Sequence, residues 1–312
     1  MDGSVENRKI LVTGGSGTIG TYFLNSIKNL KGFSFVCLYH TKKGCLADNI
    51  SWVQCDLRNK KQLEDVLKCY TPDTCVYLAY DSDNYSLNRN YDLNAINWMF
   101  YTFEFFKMFC ELGGKLFIFS GTLSEYDFKS SDFSHDNLDP DNLYGRSKKY
   151  LRKILFEFPK CCTIVWLQIA GFFGVLQKRK DFFECTTDSI LNDKPVILWG
   201  CDISYRYAHF KYLGAAIREC LYQKNDGVFP IFGAPTNSWG QYKLEDIAKR
   251  IACYYKKEYK IEYLTENIRP ANYKYDPTLV PDNIKKVFFN TFENDLIDYL
   301  NQKYIKWEQK KL

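Results

Sequence analysis

The chain has 312 residues, of which 46% are hydrophobic and 25% charged, a composition typical of a folded globular protein with one large or two interlocked domains. Its net charge of +5 comes from 42 basic and 37 acidic residues without a dominant basic stripe, so nucleic acid is not a predicted partner. No apolar run approaches the roughly 20 residues that a membrane span needs, so no membrane partner is predicted either.

The twelve cysteines predict free thiols in a reducing cytoplasm rather than a disulfide framework. Four of them lie inside apolar runs, where a free cysteine packs as a small hydrophobic side chain: Cys37, Cys75, Cys110 and Cys220. The sequence has no Cys-x-x-Cys pair and only three scattered histidines, so no metal site is predicted.

Strand-like and helical segments alternate along the first 170 residues, which predicts a parallel sheet covered by helices on both faces. The apolar runs that predict strands are residues 9–14, 33–39, 51–55, 74–80, 115–121 and 162–170. Helical patterns occupy residues 60–70, 93–113, 212–222 and 242–255, and a further strand lies within 227–239. We therefore predict a doubly wound α/β domain over residues 1–170, to which parts of 202–235 return, and a smaller interleaved α/β lobe from 171–201 and 236–312.

Four glycines separate the first predicted strand from the first helix, in the stretch ILVTGGSGTIGTYFL at residues 10–24. A glycine-rich turn of this kind lets the backbone approach a phosphate, which the N–H groups and dipole of the helix N-terminus then hold. The alternative is a tight turn whose glycines only relieve steric strain. The candidate binding residues of this turn are Thr13, Gly14, Ser16, Gly17, Thr18 and Ile19.

A tyrosine and a lysine stand four residues apart in NLYGRSKKYL, residues 142–151, and would project from one face of a helix. A free tyrosine has a pKa near 10, and an ammonium group beside it lowers that pKa by favouring the phenolate. Tyr144 and Lys148 therefore form a candidate general acid for a carbonyl or base for an alcohol. The alternative is an amphipathic helix start with the tyrosine packed inward and the lysine solvated.

A third candidate group follows the predicted strand in FIFSGTLSEYD, residues 117–127. The hydroxyl of Thr122, just beyond the strand, could donate a hydrogen bond to a substrate oxygen. Taken alone, it could equally be a polar strand end. The order of glycine turn, strand-end hydroxyl and Tyr-x-x-x-Lys makes a chance occurrence of all three improbable.

These motifs resemble those of the extended short-chain dehydrogenase/reductases, and within that superfamily the dTDP-4-dehydrorhamnose reductases and NAD-dependent sugar-nucleotide epimerases. TGGSGTIG is similar to the superfamily's T-G-x-x-G-x-x-G, and PDNLYGRSK to the reductases' P-x-N-x-Y-G-x-[ST]-K. SGTLSEYD resembles their S-T-D-x-V-F-D, and RPANYKYD resembles a stretch near their C-termini. The resemblance implies a Rossmann domain that binds the cofactor and a lobe that binds the substrate.

The activity that the resemblance implies is NAD(P)H-dependent reduction of a nucleotide-activated keto sugar, a 4-keto-6-deoxy-type hexose or a heptose, in glycan precursor biosynthesis. Thr122, Tyr144 and Lys148 would be the catalytic residues. Two alternatives stay open: an NAD-dependent nucleotide-sugar 4-epimerase, which uses the same three residues, and a non-catalytic NADP-binding regulatory subunit. Dimers are common in the superfamily, so a homodimer is expected.

The cofactor preference depends on the end of the second strand, where an acidic residue would bind the ribose 2′-OH of NAD. The sequence CLYHTKKG has His40 and Lys42 there and no acid, which favours the 2′-phosphate of NADP over NAD unless the lysines are simply solvated. Asp56 resembles the aspartate that meets the adenine in the superfamily. The other expected cofactor contacts are Leu57, Leu78, Ala79, Tyr80, Tyr144 and Lys148.

The chain departs from its relatives around the substrate. Dehydratases of the superfamily carry Asp-Glu after the catalytic threonine, whereas this chain has Leu123 and Ser124, so water elimination is not expected. Gln168 and Lys211 stand where relatives often have Arg and Asp, in regions expected to line the nucleotide-sugar cleft. The candidate substrate-binding residues are Ser124, Asn192 and Arg206, although Arg206 could equally be a surface arginine.

Overall fold

The computed structural model describes residues 8–80, 93–126, 140, 142–159, 162–176, 181–198, 204–234, 241–264, 277–289 and 292–310. Its centre is a seven-stranded sheet in the order β11-β6-β5-β4-β1-β2-β3, in which neighbouring strands pair in parallel. The strands of this sheet are β1 (Arg8–Thr13), β2 (Phe33–Tyr39), β3 (Ile50–Gln54), β4 (Thr74–Tyr77), β5 (Leu116–Thr122), β6 (Thr163–Ala170) and β11 (Gly227–Phe232). The predicted α/β class with a doubly wound parallel sheet is confirmed.

The helices alternate with the strands through the first half, as the sequence pattern predicts. They are α1 (Thr18–Ile27), α2 (Lys60–Tyr70), α3 (Leu93–Glu111), α4 (Leu143–Glu157), α5 (Phe182–Leu191), α6 (Phe210–Cys220), α7 (Leu244–Tyr255), α8 (Asp282–Lys285) and α9 (Phe292–Gln309). Within the described ranges, no helix has the length and apolar character of a bilayer-spanning segment.

Several helices begin at a polar side chain that caps a free backbone N–H group. Asn59 accepts from the N–H of Gln62 at the start of α2, and Asp181 does the same for Glu184 in α5. Asn142 caps α4 by accepting from the N–H of Gly145 at 2.8 Å. This last cap fixes the turn that carries Tyr144.

Alternation along the strands divides the core between the two faces of the sheet. In β1, Ile10 and Val12 belong to the cluster on one face, and Leu11 belongs to the cluster on the other. The second cluster is rich in aromatic side chains, and the rings of Phe119 and Trp166 stack with centroids 4.4 Å apart. Much of the chain's high aromatic content is therefore core packing.

The C-terminal half adds short two-stranded ladders to this frame: β10 (Ala208–His209) with β7 (Phe172–Phe173), β12 (Tyr242–Lys243) with β9 (Ser204–Tyr205), and β13 (Ile261–Tyr263) with β8 (Val196–Leu198). Between them, α6 packs on α1 and β11 completes the edge of the central sheet. The division into a domain and an interleaved lobe stays a prediction. The stretch RPANYKYD, whose resemblance was noted above, lies outside the described residues.

One prediction about the cysteines is wrong. Cys37, Cys75 and Cys220 are buried and free, as expected, but Cys110 is disulfide-bonded. Cys110 lies near the end of α3 against the start of β6, where the Sγ atom of Cys162, itself a free thiol, is 3.7 Å away. Thiol pairing depends on which Cβ atoms the fold brings within about 4.5 Å, and sequence spacing does not contain that information.

Candidate active site

The glycine-rich turn lies where the order of the central sheet changes direction. After β1, the chain continues to β2 on one side, while β4 occupies the other side of β1. In open α/β sheets, the carboxyl ends of strands at such a point form the ligand crevice. The ends of β1 and β4 therefore define the candidate cofactor site.

The glycine-rich turn packs directly against the backbone that follows β4. Gly14 has a φ of +70°, and a Cβ atom there would lie 2.6 Å from the backbone N of Ala79. The hydroxyl oxygen of buried Thr13 accepts from the N–H groups of Leu78 and Ala79, both at 3.2 Å. A side chain at residue 14 would therefore push the two strand ends apart.

The first turn of α1 offers backbone N–H groups at this crevice. Gly17 is the N-cap and supplies no side-chain cap, while its own N–H donates to the carbonyl oxygen of Gly14 at 2.9 Å. Half-buried Ser16, Thr18 and Ile19 lie on the same turn. A helix N-terminus of this kind is a binding site for an anion such as a pyrophosphate.

The end of β2 places basic side chains near an acidic one. His40 Nε2 lies 3.8 Å from an oxygen of Asp56, whose carboxylate also accepts from Nη2 of Arg58 at 2.8 Å. The hydrogen bonds of Arg58 hold the pKa of Asp56 below its usual range. Lys42 is exposed, and Leu57 is half-buried at the edge of the aromatic-rich cluster.

Thr122 ends β5 and begins the 3₁₀ turn Leu123–Glu125. Its hydroxyl oxygen accepts from the N–H of Ser124 at 3.2 Å, so the hydroxyl proton points elsewhere. Helix α4 meets this turn at Gly145, where a Cβ atom would lie 1.9 Å from the carbonyl oxygen of Ser124. Only glycine permits this approach, which brings the first turn of α4 to the end of β5.

Tyr144 and Lys148 approach each other on α4, as their spacing predicts. Lys148 Nζ lies 6.0 Å from the ring centroid of Tyr144 and 5.1 Å from that of Tyr80, which follows β4. The Tyr80 and Tyr144 rings meet edge to face with centroids 5.3 Å apart. Two phenols and one ammonium group from two strand–helix units thus converge at the crevice.

The ammonium group of Lys148 is almost completely shielded from solvent. The residue is 5% exposed, and its Nζ atom donates to the carbonyl oxygen of Ser120 at 3.1 Å. Burial lowers the pKa of Lys148 to about 8, and the charge of Glu125 opposes that shift. Lys148 is therefore mostly protonated at neutral pH and can stabilise a phenolate beside it.

Two of the three predicted substrate-binding residues lie near the Thr122 turn, and the third lies at the end of α5. Ser124 is buried at the 3₁₀ turn, and half-buried Arg206 lines a small cavity together with Leu123 and Tyr205. Arg206 is therefore brought next to the Thr122 turn. Asn192 is exposed at the C-terminal end of α5, where its amide nitrogen donates to the carbonyl of Asp188 at 2.7 Å and its amide oxygen accepts from Trp307 of α9.

The two residues that depart from the pattern of relatives, Gln168 and Lys211, both bond to other side chains. Gln168 is fully buried and accepts from the Tyr126 hydroxyl at 2.8 Å, so it does not face an open cleft. Lys211 Nζ pairs with the buried carboxylate of Asp295 at 2.6 Å. The pattern of relatives did not predict these two bonds, because relatives often carry Arg and Asp at these positions and this chain carries Gln and Lys.

Sequence reasoning missed Glu125, which is completely buried behind Thr122 and accepts the Thr122 N–H at 2.9 Å. A signal was present: Thr122 and Glu125 have the spacing of a capping box, in which the two residues satisfy each other's backbone groups. The fully buried Trp166 and the nearly buried Arg152, which bond the same carboxylate, carried no local signal.

The parallel sheet, the glycine turn at its crevice and the Tyr144–Lys148 pair beside it define a dinucleotide-dependent oxidoreductase of the extended short-chain dehydrogenase/reductase type. Residues 10–225 match the NAD dependent epimerase/dehydratase family, and the chain belongs to this family. It is therefore an NAD(P)-dependent enzyme of the epimerase/dehydratase type. A search of curated proteins finds no match.

Solved structures share the fold over nearly the whole chain. The UDP-glucuronic acid 4-epimerase of Bacillus cereus, in complex with UDP-glucuronic acid and NAD, has a TM-score of 0.77 at 20% identity, with 95% of this chain and 100% of that chain covered. The dTDP-glucose 4,6-dehydratase of Bacillus anthracis, in complex with NAD, has a TM-score of 0.76 at 19% identity, with 97% and 98% covered. The ADP-L-glycero-D-manno-heptose-6-epimerase of Helicobacter pylori has a TM-score of 0.76 at 16% identity, also with 97% and 98% covered. At these identities the likeness establishes the fold alone.

Proposed function

We propose that this enzyme reduces a keto carbon of a nucleotide-activated sugar, with NADPH as the reductant. The observation that carries the proposal is the convergence of Tyr144, Lys148 and the Thr122 turn beside the glycine turn. A carbonyl held there would meet a proton donor, a cation and a hydroxyl from one side. The 4-keto-6-deoxy hexoses and the related heptoses are the substrate class that we propose.

The residues present fit a nicotinamide dinucleotide. The turn at Gly14 has no room for a Cβ atom, the first turn of α1 carries no side-chain cap, and both features suit a pyrophosphate. Thr13, Leu78 and Ala79 form the floor of this crevice. When bound, the nicotinamide supplies the hydride that reduces the carbonyl carbon.

The protein's own residues manage the proton that the carbonyl oxygen gains. Tyr144 donates its phenolic proton to that oxygen, which becomes the hydroxyl of the product. The Lys148 ammonium stabilises the phenolate that remains, and the Thr122 hydroxyl donates a hydrogen bond to the same oxygen. A proton from solvent then restores Tyr144.

NADP rather than NAD is the proposed cofactor, because the end of β2 carries His40 and Lys42 where NAD-binding sheets carry an acid. Exposed Lys42 is the proposed partner of the 2′-phosphate, whereas the His40 side chain lies 3.8 Å from the Asp56 carboxylate. Arg206 is the proposed ligand for the sugar nucleotide's phosphates. The role of Asn192 stays a prediction.

A nucleotide-sugar 4-epimerase is the second candidate, and it is favoured by the fold match with an epimerase solved with NAD. Such an enzyme uses the same Thr122, Tyr144 and Lys148 but needs no added reductant. Dehydration is not proposed, since Leu123 and Ser124, both buried, supply no acid–base pair after Thr122.

The deciding experiment offers a panel of nucleotide 4-keto sugars with NADPH or NADH and follows the loss of nicotinamide absorbance. We expect stoichiometric consumption of NADPH, and Tyr144→Phe should lower kcat by about 10²- to 10⁴-fold while cofactor affinity is unchanged. Tyr150→Phe, an exposed tyrosine on the same helix, is the matched control. Interconversion of nucleotide sugars without reductant would instead identify the epimerase. Cofactor binding without any turnover would identify the regulatory subunit, and full activity of Tyr144→Phe would refute the mechanism.

We also propose a homodimer that uses α3 and α4. These helices pack side by side, and each presents exposed apolar side chains: Leu93 and Phe100 on α3 and Ile154 on α4. A second copy would cover these side chains. A cytoplasmic location is likewise a proposal.

A further inference from the structure

Glu125 is a fully buried carboxylate directly behind the Thr122 turn. One oxygen accepts from the N–H of Thr122 and from Nε1 of Trp166, both at 2.9 Å. The other accepts from Nε of Arg152 at 3.0 Å and from the amide of Gln168 at 3.2 Å. Because all four partners donate N–H groups, both oxygens act as acceptors, which is the pattern of an ionised carboxylate.

This network holds the backbone at Thr122 from three directions. Its members come from the 3₁₀ turn, from α4 through Arg152, and from β6 through Trp166 and Gln168. Glu125 fixes the peptide N–H of Thr122, while the Thr122 hydroxyl oxygen accepts from Ser124. The two bonds together restrain both the backbone and the hydroxyl of Thr122.

The same carboxylate lies close to the group that binds Lys148. Its Oε1 atom would be 2.6 Å from a Cβ atom at Gly121, and the carbonyl of the preceding residue, Ser120, accepts from Lys148 Nζ. The groups that face the Lys148 ammonium are the rings of Tyr80, Tyr144 and Phe119 and the carbonyl of Ser120, and none of them is a carboxylate. The Ser120 carbonyl and the aromatic faces favour the ammonium form as neutral groups, and the negative charge of Glu125 adds to them against the effect of burial. Arg152, one turn further along α4, is paired with Glu125.

Stability alone is a weak reason for burying this ion pair. Replacing a buried pair with well-packed apolar residues is often neutral or stabilising, because two charges must first be removed from water. A buried carboxylate beside a catalytic hydroxyl and a dry ammonium group instead has a direct electrostatic use.

We propose that Glu125 is a positioning residue of this active site: it fixes the Thr122 peptide and supplies a negative countercharge next to the Lys148 ammonium group. The proposal rests on the proposed function only for its consequence in catalysis. Its electrostatic part is testable on the protein without substrate or cofactor.

The test follows the titration of Lys148 by NMR in protein labelled with ¹³C at the lysine ε-carbons. The Lys148 signal is assigned by its loss in Lys148→Arg. Glu125→Gln keeps an acceptor oxygen for the Thr122 N–H but removes the charge, so the Lys148 midpoint should fall by about one pH unit. A merely structural loosening would hydrate the ammonium group and raise the midpoint instead, so the direction of the shift separates the two effects.

The matched control is Glu184→Gln, which removes a carboxylate from another mostly buried ion pair, that of Glu184 with Lys303 at 2.6 Å between α5 and α9. This variant should leave the Lys148 titration unchanged. Arg152→Gln should move the Lys148 midpoint upward, opposite to Glu125→Gln, because the carboxylate then acts on Lys148 without its partner. A Lys148 midpoint that is unchanged or raised in Glu125→Gln overturns the proposal.

Kinetics then tests the positioning role. In Glu125→Gln, the alkaline limb of the pH profile for reduction should shift downward together with the Lys148 titration. Glu125→Leu also loses the Thr122 contact, so kcat should fall at least about tenfold while KM changes little. If the enzyme is active but the Lys148 midpoint is unchanged in Glu125→Gln, this inference is refuted and the proposed function is retained. If the Lys148 midpoint falls in Glu125→Gln but the protein turns over none of the panel, the role of Glu125 is supported and the proposed function is refuted.

Discussion

At the scale of single residues, His209 links stability to pH. Its Nδ1 atom accepts from the N–H of Lys211 at the start of α6, and its ring packs edge-on to Tyr22 and Phe173. Burial, with a smaller repulsion from Lys211, lowers the pKa of His209 to about 4. The unfolded chain has the ordinary pKa of about 6.5, so below that pH the unfolded state binds the additional proton.

The contribution of His209 to stability is therefore fully present above about pH 6.5 and is lost as the pH falls toward 4, by up to about 3 kcal/mol. His209→Asn keeps a side chain that can cap α6 and should flatten the dependence of unfolding free energy on pH in this window. Urea unfolding at several pH values measures it. His40→Asn, at a histidine whose side chain is 60% exposed, is the control substitution. An unchanged slope in His209→Asn would assign the acid sensitivity to other groups.

At the scale of elements, the N-terminus of α4 couples a helix cap to catalysis. Asn142 is buried and accepts the Gly145 N–H at 2.8 Å. It lies two residues before Tyr144, so the cap belongs to the turn that carries the phenol. Asn142→Ala should cost about 1 kcal/mol of stability through the lost cap. It should also lower kcat by about ten- to a hundredfold, because the turn that carries the phenol loosens.

Asn59→Ala is the matched control, since Asn59 caps α2 by accepting the Gln62 N–H at 3.1 Å, away from the Tyr144 turn. It should lose similar stability and no activity. Chemical denaturation and steady-state kinetics on both variants separate the two effects. Equal losses of kcat in both variants would mean that global stability, and not the position of the α4 turn, controls turnover.

At the scale of the whole molecule, the sequence predicted what depends on local pattern. The 60–70 helix has the predicted bounds, the strands of the central sheet were located to within a few residues, and the spacing of Tyr144 and Lys148 predicted their approach. Contacts between distant segments could not be predicted in this way. The Glu125 network needs donors from two further elements, and the bonding of Cys110 needs a fold that brings thiols together.

The packing of α6 and β11 against the first half of the chain is another such contact, and it predicts how the chain folds. Helix α6 packs on α1 so closely that a Cβ atom at Gly214 would lie 2.4 Å from the carbonyl oxygen of Tyr22. Leu213 and Ile217 of α6 are fully buried in the same cluster as Phe23, and β11 pairs with β6 at the edge of the sheet. A fragment of residues 1–170 would expose this surface of α1 and the whole edge of β6.

Each large apolar side chain left exposed costs about 1.5–3 kcal/mol of folding free energy. The summed cost of exposing several of them is comparable with the whole free energy of unfolding of a domain, roughly 5–15 kcal/mol. We therefore expect the 1–170 fragment to lack a cooperative unfolding transition by circular dichroism, whereas the full chain unfolds cooperatively. A fragment of residues 1–234, which retains α6 and β11, is the matched comparison and should recover the transition. Cooperative unfolding of the 1–170 fragment would show instead that the first domain is independent of the segments that return to it.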